Sequence, residues 1–114
     1  MKKKLALFIA TILLLTAFAG CAQSSESSSK LKVALILSGP ANDQGWNATA
    51  LEGLKAAEEE YGIETAYMEN VDIAATEAAY RDYAAQGYDL VIGHGFQFGE
   101  PAAKVSKDFP NTYF

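Results

Sequence analysis

Lys32-Val33-Ala34-Leu35-Ile36-Leu37-Ser38, closed by Gly39-Pro40, is the stretch on which the fold turns. Its apolar residues run without alternation over strand length, the pattern of a strand buried on both faces of a parallel sheet. Downstream, Ala50, Leu51, Leu54, Ala57 and Tyr61 recur at helical spacing, which predicts a helix over Trp46–Tyr61 with Gly62 as its C-cap. Glu58, Glu59 and Glu60 form a solvated face at its end. Ile63–Met68 reads as a second strand, diluted by Glu64 and Thr65. Asp72 suits the N-cap of a second helix, Ile73–Gln86, stopped by Gly87. Asp89–Gly93 makes a third strand, Pro101–Phe109 a short third helix, and Asn111–Phe114 the beginning of a fourth strand. Strands alternating with helices mean an α/β fold of βαβ units with right-handed crossovers. The βα alternation is the only internal repeat.

Working outward, the N-terminus carries a processing signal. Lys2, Lys3 and Lys4 precede an apolar run from Leu5 to Phe18, broken only by Thr11 and Thr16. That is a secretory layout, shorter than the about 20 apolar residues of a membrane span; a short uncleaved anchor is the alternative. Phe18-Ala19-Gly20-Cys21 resembles the lipobox of bacterial lipoproteins, with Phe18 where that pattern prefers Leu. The resemblance implies a signal peptide over residues 1–20 and a lipid on Cys21, holding the protein to the extracytoplasmic face of the cell membrane; two acyl chains give lasting attachment where one is marginal. Residues 21–30 are a Ser-rich tether, and residues 31–114 are left to fold.

Composition narrows the function. With 114 residues, the chain has room for one domain at most. Half of it is hydrophobic and 11% aromatic, which excludes disorder. A single cysteine excludes an internal disulfide framework. The formal charge of −5 becomes −8 once Met1–Gly20, with three lysines and no acidic residue, is removed. That balance argues against a nucleic-acid partner, which needs a basic footprint.

In open parallel sheets ligands lie beyond the carboxyl ends of the strands. Three loops reach that edge: Gly39–Gly45, Glu69–Val71 and Gly93–Gly99. The first brings Asn42, Asp43 and Asn47 beside Trp46, the only tryptophan, at a strand-to-helix junction. An exposed indole there offers a flat face to a planar ligand whose edge the polar side chains can bond. Equally, Asn42 or Asp43 can cap the helix while Trp46 packs on the sheet. Asn47-Ala48-Thr49 matches a glycosylation sequon by chance. The third loop, Gly93-His94-Gly95-Phe96-Gln97-Phe98-Gly99, has glycines after a strand, but at the wrong spacing and after the wrong strand for a dinucleotide fingerprint. His94, the only histidine, is a poor metal ligand alone; it can donate in a pocket or simply bond backbone. No nucleophile elbow and no P-loop occur, and Ser38 is a strand-end residue.

Leu31–Ser38, the block Gly39-Pro40-Ala41-Asn42-Asp43-Gln44-Gly45-Trp46-Asn47 with Glu52-Gly53-Leu54, and Val91–Gly99 with Phe109-Pro110 together resemble the basic membrane protein family. These are lipid-anchored substrate-binding proteins of ABC importers. The resemblance implies a type I periplasmic-binding-protein fold, two α/β lobes clasping a purine nucleoside or related base. Residues 31–114 would then be the first part of the N-terminal lobe, with the second lobe absent and the chain either a fragment of a longer reading frame or a truncated product. The family's Asp, stacking aromatic and Asn fall on Asp43, Trp46 and Asn47; many members have Phe at Trp46 and Ser at Gly45. Ligand-binding candidates are therefore Asn42, Asp43, Trp46, Asn47, His94, Phe96 and Gln97. Partners would be a small molecule and ABC permease subunits, with no cofactor and no metal. A secreted α/β hydrolase or nucleosidase using Asp43 or His94, and a ligand sensor on the same fold, are the alternatives.

Overall fold

A computed structural model of the protein describes residues 29–114. The expected signal peptide, Cys21 and most of the expected tether lie outside the described residues. The elements are β1 (Lys32–Leu37), α1 (Trp46–Tyr61), β2 (Glu64–Met68), α2 (Thr76–Ala85), β3 (Leu90–His94), a 3₁₀ turn over Phe96–Phe98 and α3 (Gly99–Val105). The sheet is parallel in the order β2-β1-β3, so β1 is central. Leu35 lies beside Tyr67 on one side and Ile92 on the other.

The unbroken apolar run of β1 is explained by this position. Val33, Leu35 and Leu37 face α1 and are buried against Leu51 and Leu54. Ala34 and Ile36 face the opposite way, into a core with Tyr80, Tyr83, Val91, Phe98 and Val105. Each large aliphatic side chain buried in this way contributes about 1.5–3 kcal/mol. β2 is an edge strand, which is why Glu64 and Tyr67 can face solvent. Its Glu64 pairs with Lys32 at 3.7 Å. Gly62 ends α1 in the left-handed region (φ 64°), its N–H donating to the Glu58 carbonyl.

Helix boundaries differ from the sequence expectation in two places. α2 starts at Thr76, three residues after Ile73, because Asp72 caps a preceding turn instead. Its Oδ1 accepts the Ala75 N–H at 2.8 Å, and its carbonyl accepts the Thr76 hydroxyl at 2.9 Å. The third helix is shifted toward the N-terminus and runs from Gly99 to Val105. Pro101 is tolerated in its first turn, where a missing N–H costs nothing. Beyond β3, Tyr113 pairs in parallel with Leu90: the Val91 N–H donates to its carbonyl at 2.9 Å, and its own N–H donates to Asp89 at 2.8 Å. The expected fourth strand thus begins on the free edge of β3.

With β2 on one side of β1 and β3 on the other, successive connections leave β1 in opposite directions. The crevice of such a switch point opens between the ends of β1 and β3. Loops one and three flank it.

Candidate functional site at the switch point

Asp43 organises loop one. Its Oδ1 accepts the N–H groups of Gly45 (2.9 Å) and Ala48 (3.0 Å), and its Oδ2 accepts the N–H (3.0 Å) and the side-chain amide (2.9 Å) of Asn47. A carboxylate has about four acceptor sites, and all four are used. The bonds from Ala48, Asn47 and Gly45 stabilise the ionised form and hold its pKa down at about 2. Asp43 therefore caps the start of α1 from two residues before the N-cap, Gly45.

Asn47 lies beneath this cap, 6% exposed. A Cβ on Gly39 would come within 2.8 Å of its Nδ2, so that glycine leaves room for the amide. Its Oδ1 is buried without a hydrogen-bond partner among the described residues. Asn42, by contrast, is exposed. It lines a shallow groove of about 440 Å³ on the outer flank of α1 with Gln44, Ala48, Glu52 and Lys55.

Trp46, the first residue of α1, does not pack on the sheet: it is 65% exposed. One face of the indole lies on the His94 ring, with centroids 4.2 Å apart and planes inclined by 27°. His94 Nε2 is 3.1 Å from the Trp46 carbonyl oxygen. A carbonyl only accepts, so Nε2 carries the proton. The last residue of β3 is thus joined to the first residue of α1 across the crevice.

Phe96 and Gln97 sit on the other side of the strand ends. With Ser38, Val71, Asp72 and Ile73 they line a groove of about 540 Å³. Phe96 is 99% exposed and Ile73 is 67% exposed. Gly95 has φ 144°, and Gln97 folds back over it where a Cβ would stand. The candidates accordingly fall into three groups: Asp43, Asn47, Trp46 and His94 together, Phe96 with Gln97, and Asn42 apart.

Loop two contributes what sequence reasoning missed. Glu69 accepts the Ala41 N–H at 2.6 Å, and the Asn70 N–H donates to the Gly39 carbonyl at 3.2 Å. Asn70 has φ 58°, a left-handed conformation that Asn adopts more readily than most residues. Among the described residues, no group of three or more His, Cys, Asp or Glu side chains is placed to hold a metal ion.

Comparison with known proteins fits this architecture. Residues 30–114 match the family described as ABC transporter substrate-binding protein, PnrA-like (Bmp). The chain belongs to this family. A purine-binding protein of Brucella abortus is 33% identical over 94 residues, covering 80% of this chain and 27% of that protein. The transcriptional activator protein med of Bacillus subtilis is 27% identical, covering 97% of this chain and 34% of its own length. Among solved structures, an ABC transporter solute-binding protein from Conexibacter woesei superposes with a TM-score of 0.69 at 36% identity, over 74% of this chain and 28% of that one. The chain spans about a third or less of the curated relatives it matches. The described residues share the fold of that solute-binding protein over the superposed span.

Proposed function

We propose that residues 31–114 are the first part of the N-terminal lobe of a lipid-anchored ABC-importer receptor, and that its crevice takes a planar ring such as a purine nucleoside or base. The observation that carries this reading is the Trp46 indole, 65% exposed at the switch point and stacked on one face alone, by His94, among the described residues. An exposed aromatic face there supplies stacking and area burial to a ring of any identity. The likeness to the purine-binding protein of Brucella abortus supports the ring class. Of the other candidates, Asn47 carries a buried acceptor without a partner among the described residues, while Phe96 and Gln97 form an apolar and amide rim beside the crevice. A signal peptide over residues 1–20, lipid on Cys21 and a tether over 21–30 would place the lobe outside the membrane, where permease subunits receive the ligand.

Binding without turnover is favoured over a hydrolase or nucleosidase. Both groups such an enzyme would use are engaged: Asp43 by four hydrogen bonds and His94 by the Trp46 carbonyl. A ligand sensor is the second reading, favoured by the likeness to the med activator. The experiment is calorimetric titration of the receptor, at the full length of its relatives, with adenosine, guanosine and their bases, followed by chromatography of the recovered ligand. Stoichiometric binding with intact ligand is expected; release of free base overturns the reading.

A further inference from the structure

We propose that His94 is a positioning residue for Trp46: it seals one face of the indole and pins the helix end that carries it, so that a ring can stack only on the opposite face. The ligand part of this inference rests on the receptor reading above; the pairing itself does not.

Two independent contacts make the pin. The rings are nearly parallel at 4.2 Å between centroids, so the imidazole occupies one π face. The Nε2–H donates to the Trp46 carbonyl at 3.1 Å, which fixes the imidazole against the backbone of the residue it stacks on. A ring held at its own edge and stacked on its donor's partner cannot turn without losing both contacts. The placement of the two residues makes the pairing consequential. α1 packs over β1 and β2, while His94 ends β3 on the far side of β1, in register with Leu37. The pair is therefore a tie between the two walls of the crevice. Gly93 and Gly95 flank His94, and Gly95 has φ 144°, so the strand turns away immediately after presenting the ring.

The consequence is preorganisation. An unpinned tryptophan at a helix start samples several rotamers, and a ligand that stacks on it must order it; a pinned one is already in place. Loss of the pin weakens binding by roughly two- to tenfold, the equivalent of immobilising one side chain.

Trp46 is the only tryptophan of this sequence, so in the 114-residue chain its emission and its indole-band circular dichroism report this contact. Three variants separate the two contacts: His94→Ala removes both, His94→Phe keeps the stack, and His94→Gln keeps a donor without the ring. We expect His94→Ala to raise acrylamide quenching of Trp46, up to about twofold because two faces become accessible instead of one, and to weaken the indole dichroism. His94→Phe should retain the dichroic band and His94→Gln should lose it. Identical quenching and dichroism in wild type and folded His94→Ala would overturn the proposal. Should His94→Ala fail to fold, the Phe and Gln variants decide it, and the same spectrum in both overturns it. In titrations with adenosine and guanosine, His94→Ala should bind more weakly and His94→Phe should recover affinity. Wild type that binds no purine would sink the receptor reading while the spectra still judge the pairing.

Discussion

The phenolic oxygen of Tyr80 stands where a side chain on Gly93 would have to go, so a residue inside α2 dictates the glycine near the end of β3. Tyr80 is almost fully buried and its hydroxyl donates to the Phe98 carbonyl at 3.4 Å. The same bond anchors the 3₁₀ turn that follows the strand. Core packing on the α2 side thereby fixes the backbone that presents His94 on the α1 side.

Gly93→Ala should therefore destabilise the lobe. The added methyl meets both Tyr80 and Phe98, and overpacking of this kind costs about 1–3 kcal/mol. The melting temperature of the receptor should therefore fall measurably. Tyr80→Phe alone removes the hydroxyl and its bond to Phe98. Combined with Gly93→Ala it should cost less than the two changes added together, because one change makes room for the other. Additive melting shifts would show that the two residues do not compete for this space.

Asp43 gives a pH signature. Its carboxyl titrates at about 2 in the folded protein against 3.8 ordinarily, because Ala48, Asn47 and Gly45 donate to the ionised form. A depressed folded pKa contributes stability above the unfolded value and loses it as pH falls through the folded one. Wild type should melt higher than Asp43→Ala at neutral pH, and the gap should narrow between pH 4 and pH 2. A gap that stays constant over that window would mean that the cap does not act through its charge.

The sheet was legible in the sequence because β1 has no polar side chain between Val33 and Leu37, a pattern few environments other than a doubly covered central strand produce. The site was legible only as a set of loops. Trp46 at the start of a helix was compatible with either an exposed platform or a core residue, and the deciding contact, His94, lies 48 residues away in a strand that becomes its neighbour only through the order β2-β1-β3. The start of α2 was misplaced because Asp72 can cap either a helix or a turn, and the choice depends on the Thr76 hydroxyl reaching back to its carbonyl. Glu69 was placed in an edge loop but given no role: nothing local marks a glutamate whose partner is the backbone of Ala41 in another loop.

Anchoring is tested at Cys21. If lipid on this residue is the attachment, Cys21→Ala should move the protein from the membrane fraction to the soluble extracytoplasmic fraction, since the Ser-rich segment after it has no apolar surface to hold it. Processed Cys21→Ala protein that still sediments with membranes would reject the lipid anchor.

Trp46 itself is tested in a receptor of the full length of its relatives. Alanine substitution of a stacking platform costs on the order of 1–3 kcal/mol per ring, which is roughly a five- to hundredfold loss of affinity. Because the indole is largely solvent-exposed, Trp46→Ala should lower the melting temperature little, and Trp46→Phe should keep most of the binding since a π face survives. Asn47→Ala should do the opposite. It removes a buried amide that holds Asp43 Oδ2, leaving the cap short of a donor and the space beside Gly39 empty, so stability should fall before any preference between rings is altered. Titration calorimetry and melting curves on the three variants distinguish the roles. Wild-type affinity in folded Trp46→Ala would remove the indole from the binding site and leave its exposure at the crevice to be explained by something other than a ring.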